Sequence, residues 1–458
     1  MASNDSLKIV EVSKVAPFND SSEPLSELRL PITLFDAFWF RFPPVERVFY
    51  YRLTEPSDPI SCNSVILPKL KHTLSLTLRH FLPLAGNLTW PSRAPQPFIL
   101  YTPNDGVSLT VAESDADFDR VSGDKPRGAI ESHTLVPELA ISEKTASLLA
   151  LQVTLFPHQG LSIGLSTHHS ILDGKSTTMF IKAWAYVCKT GKSDSLPPEL
   201  TPFMDRAVIE DQEGFCRLFL DKWAQRIQGQ NPENLKVLPQ LSCPKNLVRS
   251  TFELTREDIK KLREYVSSTR QNSEPRSLHL STFVLTCAYT MSCIAKSKKI
   301  ESNTRFWFGF TADVRERLDP PIPANYFGNC VATYGVALEV EDIAGAEGVV
   351  YAAEKIGELV KGLGRVDLRE TNATLEKFID LEPGAVGVTV AGSPRFDVYE
   401  SDFGWGRPKR VEVTSVDRTG AISLAESSDG SGGVEIGLAL SDDKMEVFAE
   451  CFADGLKS

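Results

Sequence analysis

The most constraining stretch of this chain is a change of hydrophobic period between residues 160 and 190. Leu161, Ile163 and Leu165 alternate with Ser162, Gly164 and Ser166, the two-residue period of a β-strand. Past Gly174 the apolar positions fall at Phe180, Trp184 and Val187, the i, i+4, i+7 spacing of one helix face. Between the two stands His168-His169-Ser170-Ile171-Leu172-Asp173-Gly174. A strand-to-helix junction is rigid on both sides and can hold a side chain in one orientation. A histidine placed here is therefore a candidate for chemistry. The plainer reading is a packed or hydrogen-bonded structural histidine, because His-x-x-x-Asp alone is a weak pattern.

The rest of the chain is read in the same way. No repeat of fixed period is visible, which argues against a solenoid or propeller. Residues 189–247 lose periodicity and carry Pro197-Pro198, Pro202 and charged clusters, so they read as a long crossover. Beyond them the pattern predicts helices over 255–268 and 280–296 and strands near 305–311 and 329–340. Val411-Glu412-Val413, Ala421-Ile422-Ser423-Leu424 and Val434-Glu435-Ile436-Gly437-Leu438 alternate as strands, with Asp429-Gly430-Ser431-Gly432-Gly433 as the turn between the last two. Ser441 is expected to cap a final helix with an acidic first turn, Asp442 and Asp443, and an apolar stripe of Met445, Phe448 and Phe452. A chain of 458 residues is too long for one ordinary core. Two halves of mixed strands and helices predict an α/β protein of two domains of similar size.

Bulk properties narrow the function. Apolar residues at 42% and charged residues at 24% describe an ordinary globular protein. A net charge of −11 argues against nucleic-acid or anionic-membrane binding. Residues 244–276 are a local exception: Lys245, Arg249, Arg256, Lys260, Lys261, Arg263, Arg270 and Arg276 stand against five acidic groups. They could meet a polyanionic ligand or form a solvated, ion-paired helix face. The polar start Met1-Ala2-Ser3-Asn4-Asp5-Ser6 has no apolar stretch behind it, so no signal peptide is expected. Leu278–Ala295 is apolar but broken by Ser281, Thr282, Thr286, Thr290 and Ser292, which predicts a buried helix and not a membrane span. Eight cysteines without a Cys-x-x-Cys pair fit reduced thiols in the cytosol and no zinc site. His169 and Asp173 lie at i, i+4, a spacing a metal could bridge on a helix, but no third ligand is evident.

The second informative string is Asp402-Phe403-Gly404-Trp405-Gly406. It begins like the metal-binding Asp-Phe-Gly of protein kinases, yet no His-Arg-Asp loop or glycine loop with a strand lysine accompanies it. Two glycines flanking a tryptophan fit a tight turn that lays an indole on a packed surface. No Gly-x-Ser-x-Gly elbow suggests a serine nucleophile.

Taken together the strings resemble the BAHD acyltransferases of plants, which move an acyl group from coenzyme A to a hydroxyl or amine. The resemblance runs nearly end to end. It includes Leu30-Pro31-Ile32-Thr33-Leu34-Phe35-Asp36, Arg41 to Tyr50, Leu76 to Gly86, Ser281-Thr282-Phe283, Asp313-Val314-Arg315 and Tyr326-Phe327-Gly328-Asn329-Cys330. The last string resembles the branch that acts on flavonoid and anthocyanin glycosides, and within that branch residues 35–105 are most similar to flavonoid or isoflavonoid glucoside malonyltransferases.

The resemblance implies an α/β fold of two chloramphenicol-acetyltransferase-like domains of mixed sheet and helices joined by a long crossover loop. The boundaries expected are 1–190, 191–247 and 248–458. It implies malonyl-CoA as co-substrate, no permanently bound cofactor and no metal, and a phenolic glucoside acceptor. The enzyme is expected to be a cytosolic monomer, with neither nucleic acid nor membrane as partner. His169 is the expected general base, acting in a ternary complex without an acyl-enzyme, and His168 a structural support. Asp173 is expected to point away from His169 and pair with Arg315, with Gly174 serving close packing or an unusual backbone angle. Asp402, Gly404, Trp405 and Gly406 are expected to hold the channel in shape.

Ser281 and Thr282 are expected to open the core helix and contact coenzyme A, with Lys260 assisting; simple N-capping is the alternative. Lys175 and Arg41 are candidates for the malonyl carboxylate, or are surface charges. Three rivals stay open. One is a hydroxycinnamoyl-CoA donor in place of malonyl-CoA. Another is a condensation domain, which shares the His-His-x-x-x-Asp-Gly signature but lies inside much longer chains. The third is a non-catalytic binding protein on the same fold.

Overall fold

The computed structural model describes residues 7–19, 25–54, 58, 60, 62–227, 229–236, 243–269, 278–298, 304–379 and 385–457. Within them the strands form three sheets. The first runs, in spatial order, β1 (Leu7–Val15), β6 (Val107–Ser114), β9 (Leu149–Phe156), β10 (Gly160–Thr167), β3 (Val45–Arg52) and β15 (Arg410–Val413). The second runs β13 (Val331–Glu339), β12 (Arg305–Asp313), β14 (Val386–Gly392), β16 (Ile422–Glu426), β17 (Val434–Ser441), β11 (Leu247–Leu254) and β7 (Arg127–Gly128). A small third sheet holds β2 (Leu28–Pro31), β5 (Phe98–Tyr101), β4 (Asn87–Thr89) and β8 (Thr145–Ser147). Both large sheets mix parallel with antiparallel pairs.

The two halves exchange strands. β15, from the second half, lies antiparallel to β3 in the first sheet. β7, from the first half, pairs with β11 in the second. The long helices are α2 (Leu67–His80), α3 (Gly174–Thr190), α4 (Phe215–Arg226), α5 (Arg256–Thr269), α6 (Thr282–Lys298), α7 (Gly348–Lys361), α8 (Leu368–Ile379) and α9 (Asp442–Asp454), and a short one, α1 (Leu34–Phe38), precedes them. One apolar core packs α1, α2 and α3 on the first sheet and also takes Val398, Tyr399 and Phe403 from the second half. A separate core packs α6, α7 and α9 on the second sheet.

The expected strand leading to His168-His169 is β10, but its alternation has another cause. All eight of its residues are buried, because β9 and β3 flank it and both faces are covered. The small residues mark close approach, not solvent. A Cβ on Gly164 would come 1.9 Å from the Leu135 carbonyl oxygen, and Ser166 Oγ donates to the Pro137 carbonyl at 2.5 Å.

The crossover is more ordered than its weak periodicity predicts. It contains α4, whose Phe215, Cys216, Phe219 and Leu220 are buried, with Phe219 edge-on to Phe38 at 5.3 Å. Ser441 stands at the N-cap of α9 but makes no side-chain cap bond, so the acidic first turn supplies the favourable charge there. The stripe of Met445, Phe448 and Phe452 is buried. In α6 thirteen residues are buried, from Val284 to Ser297, as a core helix requires. No helix among the described residues is long and apolar enough to cross a membrane.

The basic run 244–276 does not form one surface. Arg249 is fully buried in β11 and bonded to Asp417 at 2.5 Å, while Lys260 lies on the exposed face of α5. Arg270 and Arg276 lie outside the described residues.

Candidate active site

β10 ends at Thr167, α3 begins at Gly174, and six residues turn the chain between them. Asp173 is the N-cap of α3. Its Oδ1 accepts the Ser176 N–H at 2.8 Å, satisfying one of the free donors of the first turn. Its Oδ2 accepts from Arg315 Nη2 at 2.7 Å and from the Cys330 N–H at 3.2 Å. The carboxylate thus faces the second half of the chain, and no hydrogen bond joins it to the His169 ring. The Arg315 guanidinium also donates to the carbonyls of Tyr326 and Gly328, and to Asp313 Oδ1 at 2.8 Å. Burial pulls the Arg315 pKa down, but Asp173 and Asp313 together hold it above its ordinary value.

His168 and His169 point to different surroundings. His168 is buried, its Nδ1 against Ser170 Oγ at 2.9 Å, and burial pushes its pKa down to about 3. The His169 ring is stacked on Trp39, centroids 4.3 Å apart and planes at 11°, with Phe42 edge-on at 5.6 Å. Burial pushes the His169 pKa down to about 4; its own backbone and the more distant Asp173 charge only partly oppose it. Nδ1 is buried without a hydrogen-bond partner. The ring is therefore a neutral imidazole with a lone pair free to accept a proton.

Residues that pattern reading overlooked fix this histidine. The His169 carbonyl accepts from Asn329 Nδ2 at 3.0 Å, and the same amide donates to Asp36 Oδ1 at 3.1 Å. Asp36 is held in turn by Arg206 and by the Thr33 N–H at 2.9 Å, the return bond of a capping box on α1. Thr33, Asp36 and Asn329 all stood inside conspicuous strings, but their mutual contact spans nearly three hundred residues and no local pattern announces it. Trp39 closes α1, and its indole Nε1 is buried without a partner.

Several candidates join this cluster and others lie apart. A Cβ on Gly174 would come 2.7 Å from the Phe396 ring and 3.1 Å from Arg47 Nη2, so close packing is what requires glycine there. Lys175 Nζ is paired with Asp313 Oδ2 at 2.9 Å. Arg41 is buried and donates to the carbonyls of Pro232 and Asn234 at 2.6 Å each, anchoring the crossover. Ser281 Oγ accepts the Val284 N–H at 3.3 Å as a helix cap, and Thr282 is the first residue of α6. Lys260 stands 3.9 Å from Glu257 on the surface. Among the described residues, no hydrogen bond or ion pair connects Ser281, Thr282 or Lys260 to the His169 turn.

The pentapeptide sits at the other end of α3, some 25 Å from Asp173 at about 1.5 Å per residue. Asp402 Oδ1 accepts the Gly404 and Gly406 N–H groups at 2.7 and 2.9 Å, and Oδ2 pairs with Lys189 at 2.7 Å. Gly404 and Gly406 have φ of +106° and +98°, which strains any other residue. Phe403 is fully buried, edge-on to Trp184 at 5.0 Å, and Trp405 lies on Tyr51 and Phe403. The string is a staple between α3 and the first sheet, remote from His169.

A chain of two halves built on mixed sheets, with a buried imidazole on a strand-to-helix turn, has the α/β architecture of two chloramphenicol-acetyltransferase-like domains. The sequence comparisons agree. Residues 14–454 match the model of the Transferase family. The chain is 45% identical to "Phenolic glucoside malonyltransferase 1" of Arabidopsis thaliana, covering 99% of this chain and 98% of the relative. It is 42% identical to the "Malonyl-CoA:anthocyanidin 5-O-glucoside-6''-O-malonyltransferase" of the same plant, covering 99% of each. Among solved structures, vinorine synthase superposes with a TM-score of 0.66 over 96% of each chain at 20% identity, which shows a shared fold. The chain belongs to the BAHD acyltransferase family and is an acyltransferase.

Proposed function

We propose that the enzyme transfers a malonyl group from malonyl-CoA to a sugar hydroxyl of a flavonoid, isoflavonoid or other phenolic glucoside, with His169 as general base. The observation that carries the mechanism is the state of the His169 ring: neutral, stacked on Trp39, and separated from Asp173. The donor and acceptor rest on the two relatives and the activities their names state.

Both substrates bind before chemistry. The neutral ring of His169 takes the proton from the glucoside hydroxyl as its oxygen attacks the thioester carbonyl. The tetrahedral intermediate collapses, the carbon–sulfur bond breaks, and the imidazolium returns the proton to the departing coenzyme A thiolate. The aromatic walls of Trp39 and Phe42 exclude water, so hydrolysis of the thioester is disfavoured. Asp173 and Arg315 hold the turn and take no part in the proton transfer. Asp402 to Gly406 hold the far end of α3. Coenzyme A is assigned to the N-terminus of α6 at Ser281 and Thr282, with Lys260 at its rim.

The division at 190 and 247 is retained as the domain reading, modified by the exchange of β7 and β15. A cytosolic monomer fits eight unpaired cysteines and an edge strand β1 carrying Lys8, Glu11 and Lys14, charges that discourage edge-to-edge pairing. The deciding experiment is a panel of acyl-CoA donors against one flavonoid glucoside, read by the mass of the product. Preference for malonyl-CoA by kcat/KM is the expected result. Preference for coumaroyl-CoA overturns the donor, and no turnover of any donor overturns the enzyme.

A further inference from the structure

The malonyl donor just proposed carries a free carboxylate, and the following inference rests on that reading. Once the donor leaves water this charge needs a cation with hydrogen-bond donors. Its carbon is two bonds from the thioester carbonyl, so the cation must stand beside the His169 turn. Lys175 and Arg41 are both near that turn, but Lys175 already faces Asp313 and Arg41 already donates to two carbonyls of the crossover.

Arg47 is different. It lies on β3 directly opposite Leu165 of β10, four residues before His169, and is only 3% exposed. Nη1 donates to Thr178 Oγ1 at 3.0 Å, and Nε is buried without a partner. Among the described residues no carboxylate is within 4 Å of its guanidinium; Asp173 and Glu426 act on it from farther away. Burial draws its pKa down to about 10, the signature of a cation with little to answer it.

Arg47 lines a narrow cleft of about 20 Å³ between the two large sheets, shared with Gly392, Phe396, Val411, Leu424 and Arg249. Arg249 presents a second buried donor there, an Nη2 without a partner. The one acidic lining residue, Glu435, is already bonded to Arg410 at 2.8 Å and to the Tyr399 hydroxyl at 2.5 Å. The cleft borders the start of α3, five residues past His169, where Phe396 and Arg47 both close on Gly174.

We propose that this cleft receives the free carboxylate of a dicarboxylic acyl donor, with Arg47 as its cationic partner and the residue that sets donor choice. Unbranched acyl groups without a carboxylate leave that guanidinium unanswered, and bulky aromatic groups must cover it.

The test compares wild type, Arg47→Met and Arg47→Lys with malonyl-CoA and acetyl-CoA on one phenolic glucoside. The malonyl-to-acetyl ratio of kcat/KM is expected to fall roughly 100-fold in Arg47→Met, as for the loss of one member of a buried charge pair, and less in Arg47→Lys. Equal losses for both donors overturn the inference while leaving malonyl transfer standing. A wild type that prefers coumaroyl-CoA overturns the donor reading and this inference with it. If Arg47→Met does not fold, the wild-type complex with malonyl-CoA decides: a carboxylate hydrogen-bonded to Arg47 supports the assignment, and one bound elsewhere ends it.

Discussion

His169 is surrounded by aromatic faces, and that environment sets its chemistry. Its pKa of about 4 keeps the ring neutral at physiological pH, ready to accept a proton. The expected pH profile follows: kcat/KM is flat from neutrality downward and falls tenfold per pH unit only below about 4. Initial rates after brief exposure to each pH check this, and a limb near 6.5 would show a ring that is not buried as described. The stability sign is also fixed. In the unfolded chain His168 and His169 bind protons below about 6.5, whereas the native rings do so only near 3 and 4. The unfolded state therefore binds more protons between those values, and stability falls as pH drops through that window. Trp39 and Asn329 shape the same site, and although Asn329 stands in a conspicuous string, nothing local showed that either meets His169. Each acts across a distance in sequence that only β-strand register or domain packing bridges.

Helix α3 joins the two diagnostic strings, one at each end. Its N-terminus is capped by Asp173 and tied to the second half through Arg315, and its C-terminus is clamped by Asp402. Asp173→Asn keeps the cap oxygen but leaves the Arg315 guanidinium, 1% exposed, without its main charge. A loss of roughly 3–5 kcal/mol in denaturant unfolding is expected, as for a broken buried pair, with residual enzyme keeping the low-pH limb of His169. A loss of activity with unchanged stability would instead return Asp173 to the proton relay.

At this scale the strong patterns were legible: β10 into α3, the core helix α6, the terminal strands and α9 all lie where periodicity placed them. α4 was obscured because its apolar face, Phe215, Cys216, Phe219 and Leu220, is short and set among prolines and charges. β10 was legible as a strand, but its burial on both faces was not, since small side chains against a backbone look the same in sequence as polar side chains facing water.

The whole molecule is bound together by exchanged strands and a buried ionic network. Arg127 on β7 reaches Glu412 on β15 at 2.5 Å, and Arg249 on β11 contacts Glu412 at 3.5 Å and Asp417 at 2.5 Å. Burial raises the Glu412 pKa, but Arg127 and Arg249 outweigh it and hold the carboxyl at about 2. This group stabilises the fold fully above its ordinary value near 4.5, and the contribution is lost as pH falls toward 2. His133 works the other way. Burial lowers its pKa, but Asp417 and Glu46 raise it further, so its contribution is present at low pH and lost as pH rises through its native value.

Because each large sheet contains a strand from the other half, the halves are expected to unfold together. Fluorescence and circular dichroism should give coincident single transitions in denaturant, and Glu412→Gln should shift both equally to lower denaturant. Two separated transitions in wild type would show that the exchange does not couple the halves.

The account stands on His169 as the proton acceptor for acyl transfer, and a single-turnover experiment reaches it most directly. Enzyme in excess over malonyl-CoA and a phenolic glucoside is quenched over time, and the malonylated product is followed by mass in wild type and in His169→Ala. The expected result is intact folding and a transfer rate lower by about two to four orders of magnitude, the usual worth of a general base. A folded His169→Ala enzyme that keeps more than about a tenth of the wild-type rate would contradict it.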